Sequence, residues 1–160
     1  MKDHAPIKRH KALISLSKDH HFGLLLVWKI RQGLRTAVDP KRISRYVLYF
    51  FDVDLQQHFM EEENELFNKA PAGDDLCVQA LAEHKKVYAL IDKIIQFPGD
   101  TEILREFADT LEAHIRFEER QLFNHLQDIL PEKVLEAHAS KPVTKEEDPD
   151  NNWDDRFWEK

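Results

Sequence analysis

The sequence predicts an all-α protein, an antiparallel up-and-down four-helix bundle followed by a C-terminal tail. Three observations lead there. Apolar residues recur at threes and fours along four long stretches, the period of one helix face. The last three stretches each open on an acid placed as an N-cap and close on proline or glycine. Glycine, at only 4 residues, is too scarce for a turn-rich β protein. Amphipathic helices joined by short links make antiparallel neighbours.

Residues 1–14 are polar, contain Pro6 and read as an N-terminal arm with His4 and His10 exposed. The bundle is assigned to residues 15–130. Its first helix runs from about Ser15 to Thr36, with Ser15 or Ser17 as N-cap. Leu24, Val27, Ile30 and Leu34 form its inner stripe, which His20 extends backwards. Asp39-Pro40, an acid before a proline at the first helical position, starts the second helix. Val47, Phe51, Leu55, His58, Glu62 and Leu66 carry that helix to about Lys69, before Pro71 and Gly73. Asp74 or Asp75 caps the third, with Leu76, Ala80, His84, Val87, Tyr88, Ile91 and Ile94 inward and Pro98-Gly99 as its stop. Asp100 caps the fourth, whose face is Leu104, Phe107, Leu111, His114, Glu118, Leu122 and Ile129, stopped by Pro131. A short helix to about His138 follows. The tail, residues 131–160, turns acidic and proline-broken from Lys141, yet carries Trp153, Phe157 and Trp158. Such aromatics are unusual in a disordered segment and are expected to dock on the bundle or on a second subunit.

With 160 residues, 42% of them hydrophobic and 33% charged, the chain has the balance of one globular domain with a real core. A net charge of −7 without a basic cluster argues against nucleic acid as a partner. No apolar run approaches the length that crosses a bilayer, and no signal segment follows Met1, so the expected location is the cytoplasm and no membrane partner is implied. Cys77, the single cysteine, has no internal disulfide partner and reads as helix packing.

The chemistry lies in a repeat. His58 to Phe67 and His114 to Phe123 both read H-x-x-x-E-E-x-x-L-F. On a helix, a histidine and the residue four later share one face, and Leu66 or Leu122 continues that face inward. An imidazole and a carboxylate aimed at an apolar interior are costly unless paired, and a metal ion pairs with both. Counted from the connecting turns at ~1.5 Å per residue, His84 lies within about 3 Å of the level of each pair. His20 fits the same level more loosely. The converged set is His20, His58, Glu62, His84, His114 and Glu118. One octahedral ion would be filled by it. Two ions bridged by both carboxylates would each hold two imidazoles and two oxygens, leaving space for solvent and an outside ligand. Iron, manganese or zinc suit such donors, and the lack of thiolate argues against copper(I) or an iron–sulfur cluster. Glu63 and Glu119 fall about 100° further round and read as solvated or as backing the ligands. His125 reads as structural, and His138 has no partner pattern.

This set resembles the hemerythrin-like, or HHE cation-binding, family. Its pattern is one histidine on the first helix, H-x-x-x-E on the second, one histidine on the third and H-x-x-x-E on the fourth. The match covers about Ser15 to Leu130 and carries over His20, His58, Glu62, His84, His114 and Glu118. The resemblance implies a non-haem di-iron centre bridged by the two glutamates. Of the adjacent His20 and His21, only one can face inward. Aligning His20 on His84 sets Val27 against Ile91 and Ile30 against Ile94, whereas His21 sets Arg31 at the second position, which favours His20. The chain departs from the oxygen-carrying hemerythrins, which resemble H-x-x-x-H on the third helix, because Tyr88 follows His84 at that spacing. Its fourth helix also keeps the glutamate spacing rather than a longer spacing to aspartate. A more open iron, or a phenol near it, argues against simple reversible oxygen carriage; Tyr88 as core packing is the other reading.

The expected function is binding or sensing of a small ligand (oxygen, nitric oxide or peroxide) at a carboxylate-bridged iron pair. The alternative is a redox enzyme reducing peroxide or nitric oxide, or an iron-handling or repair protein, using the same centre. The aromatic tail leaves room for a homodimer or a protein partner.

Overall fold

The computed structural model describes residues 9–139 and 148–159, so His4 lies outside the described residues. These residues form an all-helical bundle. Helix α1 is Lys11–Arg35, α2 covers residues 40–65, α3 is Asp75–Gln96, α4 covers residues 101–129 and α5 is Glu132–Ala139. Among the described residues, no helix is long and apolar enough to cross a membrane.

Helix α1 starts four residues before Ser15. His10 is its N-cap, with extended backbone (φ −62°, ψ 141°) and Nδ1 accepting the Ala12 N–H at 2.9 Å. Neither Ser15 nor Ser17 caps; Ser17 lies inside the helix and donates to Glu119 at 2.8 Å. Residues expected in the arm are therefore part of the bundle, with Ala12 and Leu13 fully buried. His10, expected to be exposed, is half-buried and its Nε2 meets Glu132 at 2.9 Å. The other N-caps are Asp39, Asp74 and Asp100, as their positions predict.

Helices α2 and α4 each contain a π-helical turn, Phe51–Leu55 and Glu118–Leu122. Val47, Phe51, Leu55, His58, Glu62 and Leu66 are all buried. Their spacing explains the turn. Across nineteen residues a straight helix would carry Leu66 about 100° away from the Val47 direction. One π turn absorbs about one residue and returns the stripe to the interior, a distortion found at functional sites.

Two apolar clusters flank the polar level. One gathers Leu26, Ile30, Ile43, Phe50, Ile91 and Phe107, and the other Leu13, Leu16, Leu66, Ala80, Leu122 and Phe123. The sequence stripes missed Leu90, Ile115, Phe117 and Leu126, all buried, while Leu76 and Ile129 are only partly so. Cys77 is buried, and burial with Asp74 beside it pushes its thiol up to about 12, so it packs rather than reacts.

The described tail docks on its own bundle. Phe157 is buried, Trp153 stacks on Tyr49 at 4.5 Å between centroids, and Trp158 packs on Tyr46 at 4.9 Å. Gly33 makes room for it, because a Cβ there would stand 2.8 Å from both Ile43 Cδ1 and Phe157 Cε1. Gly33→Ala is expected to cost about 1–3 kcal/mol through overpacking, read as a lower urea midpoint with tryptophan emission shifted to the red.

Helix α5 closes the other end, as expected to His138, but that histidine is not partnerless. Its Nδ1 donates to the Ala12 carbonyl at 2.7 Å and its Nε2 meets Glu61 at 2.8 Å. A carbonyl and a carboxylate only accept, so both contacts require the imidazolium. The hydrogen bond to Glu61 raises the pKa of His138 above 6.5, against the opposing effect of burial. A raised folded-state value gives stability that is complete below 6.5 and lost as pH rises through the folded value. Amide exchange over residues 132–139 should therefore quicken as pH is raised, beyond its intrinsic pH dependence, and His138→Gln should remove that excess.

Candidate metal centre

Each long helix brings one imidazole to the same level. α1 supplies His20, α2 His58 with Glu62, α3 His84, and α4 His114 with Glu118; all six are buried. His20 rather than His21 faces inward, and His21 is exposed. Rings hold the imidazoles in place: Phe59 stacks on His84 at 3.9 Å and Phe123 on His20 at 5.2 Å.

The donors fall into two groups, His20, His58, Glu62 and Glu118, and Glu62, His84, His114 and Glu118. Within each group the donor atoms lie within 4.8 Å of one another. Both glutamates are shared, one oxygen to each half. Glu62 Oε2 is 3.3 Å from His58 Nε2, and Glu62 Oε1 is 3.1 Å from His84 Nε2. Glu118 Oε1 is 2.7 Å from His20 Nε2, and Glu118 Oε2 is 3.2 Å from His114 Nε2. Donors at right angles on a metal with bonds of about 2.1 Å stand about 3.0 Å apart. The spacing fits.

Two hydrogen-bonding facts decide what this arrangement can hold. The Nε2 atoms of His58, His84 and His114, both oxygens of Glu62 and Oε2 of Glu118 are buried without a hydrogen-bond partner. Every Nδ1, by contrast, meets a carboxylate: His20 with Glu119 at 2.7 Å, His58 with Asp19 at 3.0 Å, His84 with Glu63 at 2.6 Å and His114 with Glu83 at 2.7 Å. For His58, His84 and His114, Nδ1 is thereby fixed as the protonated nitrogen and Nε2 as the free donor, the arrangement of metal-binding histidines. His20 Nε2 donates to Glu118 Oε1 at 2.7 Å, a contact that a metal ion between them would replace.

Charge points the same way. Burial pushes these imidazoles toward the neutral form, but the carboxylates outweigh it, raising His84 to about 11 and His114 to about 9. Burial likewise opposes ionisation of Glu118, yet His114, His20 and His58 hold its carboxyl well below the usual range. Buried carboxylates here demand positive charge. A metal cation would supply it in place of the imidazolium protons and would also satisfy the partnerless atoms.

The family model of the hemerythrin HHE cation-binding domain matches residues 12–126. The chain belongs to that family. No curated protein and no solved structure matches it. The HHE domain thus accounts for the helical bundle and the His/Glu cluster able to hold metal.

Residues outside the cluster sort clearly. Tyr88 packs edge-on against Phe51 and Phe59, which supports core packing. His125 meets the α3 cap Asp74 at 2.7 Å, the structural role its position suggested. Asp19 and Glu83 were not foreseen. Their signal was available: each directly precedes the inward-facing histidine of its helix, as Glu63 and Glu119 directly follow the glutamates. Beside the HHE cluster lies a small cavity lined by Asp19, His20, Gly23, Asp54, His58 and His114 among others, with room for one water-sized molecule.

Proposed function

We propose that this HHE domain holds two iron ions bridged by Glu62 and Glu118, in four long helices running alternately up and down. On this proposal it binds or senses oxygen, nitric oxide or peroxide there. The observation that carries the proposal is the division of labour on the imidazoles, with all four Nδ1 atoms committed to carboxylates and three Nε2 atoms left partnerless beside two shared glutamates. His20 and His58 would hold one ion, and His84 and His114 the other. Manganese or zinc suits the same donors. Bound ferrous iron would supply electron density to the small ligand. The protein's part is positional: stacked rings fix the imidazoles, and the flanking apolar clusters keep bulk water out.

The cavity touches imidazoles of both halves and admits only a very small molecule, which supports a diatomic or peroxide ligand. Gly23 and Ile115 both line it, and a Cβ on Gly23 would meet Ile115 Cδ1 at 2.7 Å. Gly23→Ala therefore takes space from the cavity. It should leave metal content unchanged and weaken nitric oxide binding to the iron-loaded protein by about tenfold or more.

The test of the reading is the ultraviolet–visible spectrum of iron-loaded protein, reduced and then exposed to each ligand. Saturable spectral changes at two irons per chain support ligand binding. Continuous consumption of peroxide or nitric oxide with a supplied reductant would make the protein an enzyme. Folded protein that takes up no iron would defeat the proposal.

A further inference from the structure

The four carboxylates that meet the Nδ1 atoms follow one rule. Asp19 of α1 supports His58 of α2, Glu63 of α2 supports His84 of α3, Glu83 of α3 supports His114 of α4, and Glu119 of α4 supports His20 of α1. Each carboxylate is the sequence neighbour of a donor on its own helix, yet bonds the imidazole of the next. The last bond returns to the first helix. We infer that Asp19, Glu63, Glu83 and Glu119 form a closed ring of positioning residues in which every helix orients the metal-binding imidazole of its successor. This rests on the metal-centre reading above.

The geometry gives the ring its reach. A helix presents adjacent residues about 100° apart, so a donor aimed at the bundle centre leaves its sequence neighbour aimed at the seam with an adjacent helix. There the carboxylate is partly exposed, with 15% of the Asp19 side chain and 27–34% of the others reaching solvent, while each imidazole is 5% exposed or less. A partly hydrated carboxylate carries its charge at small cost and still accepts the buried N–H. Glu119 is further anchored by Ser17 and Arg9, at 2.8 Å and 3.3 Å.

The ring also divides between the two halves of the centre. Asp19 and Glu119 support His58 and His20, whereas Glu63 and Glu83 support His84 and His114. Removing one carboxylate should weaken one metal position, and for Glu63 it should act across the seam on the next helix rather than on its own.

The experiment is zinc titration by calorimetry of wild type, Asp19→Ala, Glu63→Ala, Glu83→Ala, Glu119→Ala and the amide variants Asp19→Asn, Glu63→Gln, Glu83→Gln and Glu119→Gln. NMR of isotope-labelled histidine accompanies each. Wild type should take two zinc ions. Each alanine variant should keep one tight site and lose about 10–100-fold at the other, with the disturbed resonances belonging to the histidine of the following helix. The amides retain an oxygen acceptor and should restore most of the affinity. Glu112→Ala, in a surface ion-pair cluster, serves as the control. Alanine variants that bind both ions as wild type does, or that disturb only their own helix's histidine, would overturn the ring. Wild type that takes no zinc would count against the metal reading alone, and the metal-free NMR comparison would still decide the ring.

Discussion

Glu118→Ala is expected to empty both metal positions together. Glu118 is fully buried and offers Oε1 to the His20 side and Oε2 to the His114 side. Its loss removes one oxygen donor from each half and half of the carboxylate charge shared between them. Losses from outer partners run about 10–100-fold, and a shared direct donor should cost more than that at each position. Glu62→Ala should do the same, since its two oxygens face His58 and His84. His114→Ala should strike its own half first. His125→Ala and His138→Ala should leave metal content intact, because those imidazoles meet Asp74, Ala12 and Glu61 rather than the cluster. Elemental analysis of the purified variants decides it; equal loss from both sets would sink the assignment.

Asp150→Ala should produce the largest loss of stability in the tail. Lys29 is buried on α1, and its ammonium is held by Asp150, by the Tyr46 hydroxyl at 3.2 Å and by the face of Trp158 at 4.4 Å. Tyr46 also donates to Asp150, and burial together with that carboxylate pushes its phenol pKa up. Removing Asp150 strands a buried cation, which costs about 3 kcal/mol or more. The tail should lift, reddening tryptophan emission and lowering the urea midpoint. Lys29→Met with Asp150→Leu removes both charges, so the double variant should regain most of the loss. A double variant no better than the single would show that shape, not charge pairing, holds the tail.

The six central residues were legible because a helix repeats its face at fixed intervals. The duplicated H-x-x-x-E-E pattern and two further histidines could be brought to one level by counting from the turns. Choosing His20 over His21 needed only the apolar residues that follow each. The π turns were hidden, since a local change of backbone pairing leaves no composition mark; the repeated spacing of four from Val47 to Leu55 and from His114 to Leu122 was the trace they left. The α1 start was misread because serine is the commoner cap, while His10 caps through a ring nitrogen. His138 looked partnerless because its partners, Ala12 and Glu61, are distant in sequence. The tail's docking on its own bundle likewise depends on Lys29, Gly33 and Tyr46, which no local pattern joins to residues 148–159.

The proposed centre has two metal ions sharing Glu62 and Glu118. Anomalous scattering from crystals of the iron-loaded protein tests it most directly. Two peaks per chain are expected, one beside the Nε2 atoms of His20 and His58 and one beside those of His84 and His114, with both carboxylates spanning them. A single peak holding all six residues, or iron bound elsewhere on the chain, would contradict it.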